Sequence, residues 1–295
     1  MSERRIETRS SETASFTCFS RGCATRERDP RFRGPDDMAE LLFPPMAKLM
    51  LNVAPLRKII LRQMFPPGMH EYIFARTKVM DAAFGEALDA CFLQIVLLGA
   101  GFDTRALRFA SRNQGTKIFE LDAPTTQQAK LEVLRRKKIS LPSELVFVPI
   151  NFDREEISTA LTKAGYQVGQ RTLFLCEGVT MYLTAQVVDK TLDYIRSSSA
   201  PGSRVVFDYL LAAVIRKENR YYGEQQAFDR VARVGESWIF GLEDGEIGPF
   251  LAERGFELIV NYTSVDLEKL FLTEPDGKLH ARVNGTHCIA TAAVQ

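Results

Sequence analysis

The sequence predicts an α/β protein: a doubly wound, mostly parallel sheet of seven strands preceded by a helical N-terminal cap. Three observations carry that prediction. At residues 94–109 (QIVLLGAGFDTRALRF) an apolar run meets two glycines and then a helical pattern, the opening half of a nucleotide-binding βα unit. From residue 117 to 272 the hydrophobic period switches repeatedly between two and 3.6, and strands alternating with helices in this way wind into a parallel sheet. Residues 36–92 instead keep helical spacing and contain no strand pattern.

Residues 1–35 are polar and arginine-rich, with Glu3, Glu7, Glu12, Glu27 and Asp29 interleaved. Transit peptides are poor in acids, so a solvated arm followed by a short helix is expected. Breaks at Pro44-Pro45, Pro55 and Pro66-Pro67-Gly68 divide residues 36–92 into two to four short helices, the last near 71–88. Residues 1–92 are therefore expected to cap a core at 93–295. Ile95–Leu98 opens that core as a strand buried on both faces. Residues 117–122 (KIFELD) form the second strand, followed by a helix at 125–138 whose basic end suits its dipole. The third strand spans 145–152, and a helix at 154–164 ends at Gly165. Residues 171–177 (RTLFLCE) make the fourth strand, and Thr184 caps a helix presenting Val187, Val188, Leu192 and Ile195 on one face. A turn at Pro201-Gly202 leads into the fifth strand at 204–211. A polar, aromatic-bearing insert follows at 212–243, then a helix at 244–254, a strand at 256–263 and a short helix at 265–272. The last strand, 287–294, has no long helix before it and should add antiparallel.

A net charge of +1 and a pI near 7.6 give no global attraction to nucleic acid or to an anionic membrane. No apolar run approaches the roughly 18–20 residues that span a bilayer, and no signal peptide is visible. Cys18, Cys23, Cys91, Cys176 and Cys288 are an odd set without a CxxC pair, so reduced thiols in a cytoplasmic enzyme are expected.

In an open parallel sheet the ligand sits outside the carboxyl ends of the strands. After the first strand come Gly99, Ala100 and Gly101, whose backbone can approach a ligand closely. The third glycine of a dinucleotide fingerprint is absent; Thr104 stands there, and Asp103 would repel a pyrophosphate. A cofactor with a cationic end and no phosphate fits better, which favours S-adenosylmethionine over NAD. The second strand ends in Glu120 and Asp122, about 20 residues beyond the turn, where an acid binds ribose hydroxyls. Alternation puts both on one face and leaves the choice open, with Asp122 nearer the strand end. Asn151, Phe152 and Asp153 follow the third strand, on the adenine side. Glu177 ends the fourth in apolar company and needs a partner, either a ligand ammonium or an arginine such as Arg76.

The ordered set ARTKVMDAAF, VLLGAGFDTRALRF, FELDAPTTQQAK, FVPINFD and CEGVTMYL resembles the leucine carboxyl methyltransferase-like group of S-adenosylmethionine-dependent methyltransferases. The segment TASFTCFSRGCATRERDPRF is similar to the N-terminal region of its microbial branch, whose substrates are mostly unassigned. The resemblance implies a class I, Rossmann-like methyltransferase fold. It implies that Arg76 holds the methionine carboxylate, Gly99 lines the cofactor, Asp122 binds ribose and Glu177 sits near the methionine end. It usually brings an aspartate to the adenine amino group; here Asn151 stands there, and its amide oxygen can still accept.

The expected activity is O-methylation of a small-molecule carboxylate or hydroxyl. A carboxylate is ionised at pH 7 and needs no base, whereas a hydroxyl needs one. No catalytic residue or metal ligand is assigned, and His70 is left without a role. Tyr182, Tyr209 and Trp238 are candidates for lining an acceptor pocket. The alternatives are a cofactor-binding protein without turnover, a protein C-terminal carboxyl methyltransferase and, last, an NAD-dependent oxidoreductase.

Overall fold

The computed structural model describes residues 11–43, 45–152, 154–233 and 237–295. Eight strands form one sheet: β1 (Gln94–Leu98), β2 (Lys117–Asp122), β3 (Leu145–Pro149), β4 (Thr172–Cys176), β5 (Arg204–Leu211), β6 (Gly241–Leu242), β7 (Phe256–Tyr262) and β8 (His287–Val294). Their order is β3-β2-β1-β4-β5-β8-β7, with β6 against β5. β1 to β6 pair in parallel, and β8 runs antiparallel between β5 and β7, as the missing crossover helix predicts. The seven expected strands are present. The eighth, β6, has two residues and is too short to leave a periodic pattern.

Among the described residues twelve α-helices accompany the sheet: α1 (Glu12–Ala24), α2 (Pro45–Asn52), α3 (Ala54–Met64), α4 (Met69–Asp89), α5 (Arg105–Arg108), α6 (Pro124–Arg136), α7 (Ile157–Lys163), α8 (Ala185–Ser198), α9 (Ala212–Ile215), α10 (Glu224–Arg233), α11 (Ile247–Ala252) and α12 (Ser264–Phe271). Alternate residues of β1 feed opposite layers. Val96 and Leu98 pack with Val188, Leu192 and Ile195 of α8, while Ile95 and Leu97 pack with Ile73, Met80 and Phe84 of α4.

The last of the expected N-terminal helices, read near 71–88, is α4, which runs for 21 residues with no proline inside it and packs against the sheet. The short helix expected within residues 1–35 is α1: Ser11 caps it, and Cys18 and Cys23 are buried with Ala39, Phe102 and Leu134. The helix after the glycine turn is shorter than its pattern suggests. α5 has only four residues and its N-cap is Thr104; Asp103 instead accepts from the Arg105 backbone N–H at 2.6 Å. No helix among the described residues is long and apolar enough to cross a membrane.

Candidate active site

Strand order reverses between β1 and β4, so the crevice opens beyond Leu98 and Cys176. The chain leaves β1 through Gly99 and Gly101, with φ of +68° and +52°. Both lie in the left-handed region that only glycine enters cheaply. A Cβ on Gly99 would stand 2.4 Å from Val179 Cγ2, and one on Gly101 would stand 3.0 Å from Ala14 Cβ in α1. The Ala100 N–H donates to Leu121 O at 2.9 Å, tying the turn to β2. α1 is clamped over this turn by Arg21, which donates to Phe102 O at 2.6 Å and to Asp36 at 2.8 Å. Two surface hollows lie elsewhere, one beside Asp189 and Arg254 and one behind β3, and neither touches the turn.

The two acids of β2 have separate fates. Glu120 is buried against Lys130 at 2.5 Å, and burial pushes its carboxyl up to about 7 despite that cation. Asp122 stays half-buried at the strand end and accepts from the backbone N–H groups of Gly101 at 2.5 Å and Ala123 at 2.6 Å. Burial raises its carboxyl, and those two bonds work against the rise. It is therefore Asp122 that faces the turn. Asn151 and Phe152 follow β3 at the same end and are half-buried; the Asn151 N–H donates to Glu155 at 2.9 Å. Asp153 lies outside the described residues.

At the end of β4, Glu177 bridges two arginines, Arg76 Nε at 3.1 Å and an Arg105 guanidinium nitrogen at 2.8 Å. Burial would raise this carboxyl, but Arg105, Arg76 and Arg21 hold it down at about 2. Arg76 also donates to Asp208 of β5 at 2.6 Å, and the Tyr72 hydroxyl donates to the same Asp208 oxygen at 3.0 Å. The other Asp208 oxygen accepts from the Gly178 N–H at 2.6 Å. Arg105 further reaches Asp81 at 2.8 Å and Asp103, yet its Nη2 is buried with no hydrogen-bond partner among the described residues. Sequence reasoning joined Glu177 to Arg76 but missed Tyr72, Arg105 and Asp208.

Residues 14–196 match the model of the leucine carboxyl methyltransferase family. The chain belongs to that family. Among its curated relatives, a Mycobacteroides abscessus protein is 31% identical over 219 residues, 74% of this chain and 67% of the relative. A Streptomyces coelicolor protein is 33% identical over 186 residues, 63% of this chain and 62% of the relative. A Frankia alni protein is 31% identical over 176 residues, 60% of this chain. All three are named, provisionally, as S-adenosyl-L-methionine-dependent methyltransferases. The match spans only 58% of the Frankia and 62% of the Streptomyces protein. Among solved structures, a DUF574 family protein of Streptomyces avermitilis shares the fold with TM-score 0.62 and 13% identity, covering 99% of this chain and 100% of that one. A Thermobifida fusca protein, named provisionally as a methyltransferase, gives TM-score 0.58 and 14% identity, covering 96% and 98%. The class I methyltransferase fold expected from the sequence is the fold observed.

In this leucine carboxyl methyltransferase family member the remaining aromatic candidates are buried or half-buried. Tyr209 is buried with its hydroxyl donating to Asn261 at 3.1 Å, Tyr182 is half-buried against the core, and Trp238 is buried. His70, unassigned from sequence, sits 2.8 Å from Ser20 Oγ. The glycine turn itself yields a direct prediction. Gly99→Ala should cost about 1–3 kcal/mol, combining the left-handed backbone with the Val179 clash. Urea unfolding would measure it, and adding Val179→Ala should return the steric part only. Full recovery in the double variant would show that backbone conformation contributes nothing.

Proposed function

We propose that the protein is an S-adenosylmethionine-dependent O-methyltransferase acting on a small molecule. The observation that carries this reading is the pairing of Asp122 and Glu177 on either side of a side-chain-free glycine turn at the switch point. The residues fit such a cofactor. Gly99 and Gly101 turn the chain sharply at the strand end, leaving backbone rather than side chain at the crevice, Asp122 offers a ribose acceptor, and Asn151 with Phe152 borders the adenine side. Glu177 offers a carboxylate to an ammonium, while Arg76 and the unpartnered Nη2 of Arg105 offer charge to a carboxylate.

Bound there, S-adenosylmethionine would supply a methyl group already activated on sulfonium sulfur. What remains for the chain is alignment and exclusion of water, together worth roughly 7–11 kcal/mol of barrier. α1, held across the turn by Arg21, supports the second of these roles. The test is calorimetric titration with S-adenosylhomocysteine, with NAD as the control ligand. Micromolar binding of the first and none of the second is expected. Binding of NAD alone would replace the reading with a dinucleotide enzyme, and binding of neither would leave a scaffold without this chemistry.

A further inference from the structure

His287, the first residue of β8, stands opposite Leu210 near the carboxyl end of β5. It is 4% exposed. Its ring stacks on Tyr72 with centroids 4.7 Å apart, and Trp238 meets it edge-on at 5.4 Å and 87°. Tyr72 is the residue whose hydroxyl donates to Asp208, the partner of Arg76. His287 is thus one aromatic contact beyond the charged end of the cofactor site.

Its tautomer follows from its neighbours. Asn284 Nδ2 donates to Pro67 O at 2.9 Å, which turns Oδ1 toward Thr286. That oxygen accepts from the Thr286 hydroxyl at 2.5 Å and from its N–H at 3.2 Å. A hydroxyl has one proton and an amide oxygen can only accept, so the Thr286 proton points to Asn284. The contact of 2.6 Å between Thr286 Oγ1 and His287 Nδ1 must then be donated by Nδ1–H. Nε2 keeps its lone pair and has no hydrogen-bond partner among the described residues. Asn284 and Thr286 are fully buried, so this relay is fixed by the fold. Trp238 Nε1, on the ring that meets His287 edge-on, is buried and unpartnered among the described residues.

Resting on the methyltransferase reading, we propose that His287 is the general base of the transfer and that the acceptor is a hydroxyl on a planar aromatic ring. A carboxylate acceptor would give an oriented imidazole lone pair nothing to do. Tyr72 and Trp238 supply aromatic walls, and Trp238 Nε1–H is a free donor for a second oxygen on the ring. In the step, the hydroxyl proton passes to Nε2 as the acceptor oxygen bonds the methyl carbon. The pair of the breaking carbon–sulfur bond stays on sulfur, and the imidazolium later returns its proton to water.

The chain has three histidines, so nitrogen-15 NMR of the full-length protein labelled at histidine resolves them. His287 is expected to carry its proton on Nδ1 at neutral pH, and Thr286→Val to release it into a mixture of tautomers. A proton on Nε2 in the unaltered protein overturns the proposal whatever the acceptor. Titration with S-adenosylhomocysteine tests the underlying reading separately, and the affinity should be unchanged in His287→Gln. For turnover the probe is 3,4-dihydroxybenzoate, which offers hydroxyls and a carboxylate on one ring. Ether formation is expected, with kcat falling about 10²–10⁴-fold in His287→Gln. An ester product, no transfer by protein that binds S-adenosylhomocysteine, or an undiminished His287→Gln rate would overturn it.

Discussion

Replacing Asp208 with alanine is expected to remove about 3–5 kcal/mol of stability and to abolish S-adenosylhomocysteine binding in the same protein. Asp208 is fully buried and serves three donors: Arg76, the Tyr72 hydroxyl and the Gly178 N–H. Alanine leaves all three facing a void that water reaches poorly, and one of them is a buried guanidinium. The cost is dominated by the stranded charge rather than by the missing contacts. Binding should fail with it, because Arg76 and Gly178 both border the crevice where the proposed cofactor's methionine end would sit. Asp122→Ala is the instructive contrast. Asp122 is half-buried and serves two backbone N–H groups that can turn to water, so about 1 kcal/mol is expected while binding is still lost. Urea unfolding beside calorimetry separates the two. Equal stability losses in both variants would mean that the Asp208 network is not buried as described.

That Asp208 was missed from sequence is informative. Glu177 was singled out as an acid in apolar company, and the same criterion applies to Asp208 inside RVVFDYLL. It was read only as part of a strand, whose bounds at 204–211 and those of β8 at 287–294 agree with the structure. Strands of this kind are legible because continuous apolar runs end sharply at Pro, Gly or polar residues. The layer a helix covers is not legible, because spacing defines an apolar face without naming what packs on it. Hence the helical spacing of 71–88 was read, but not that α4 packs against Ile95 and Leu97 of β1. The choice between Glu120 and Asp122 was closed to sequence for a similar reason. Alternation gives them one face, and only Lys130, ten residues on, tells them apart. Tyr72, Asp208 and His287 come from α4, β5 and β8, so no local pattern could have assembled them.

Acid should act on stability in two stages; in the first, histidine destabilises while Glu120, whose carboxyl burial pushes up to about 7, offsets it by taking its proton in the folded chain first. Burial pushes His287 down from 6.5 to about 4; Asp208 favours its charged form and Arg76 opposes it. Below pH 6.5 the unfolded chain takes up a proton on this ring while the folded chain does not. The contribution of this ring to stability therefore rises with pH across this window and is lost as pH falls from 6.5 toward 4, by about 3 kcal/mol. His70 is also pushed down to about 4 by burial, but its side chain keeps some contact with solvent, so its share is smaller. Glu177 acts later. Its carboxyl, held at about 2 against burial by Arg105 and Arg76, contributes stability that is complete above 4.5 and fades only as pH falls below that. Urea unfolding at pH 7, 5.5 and 4 would trace the first stage, and His287→Phe isolates its source. The aromatic ring can keep the stack on Tyr72 while removing the titration, so the difference between pH 7 and 4 should shrink by about 3 kcal/mol in the variant. An identical acid slope in the two proteins would mean that His287 is solvated, and with it the sealed relay to Thr286 and Asn284 would be lost.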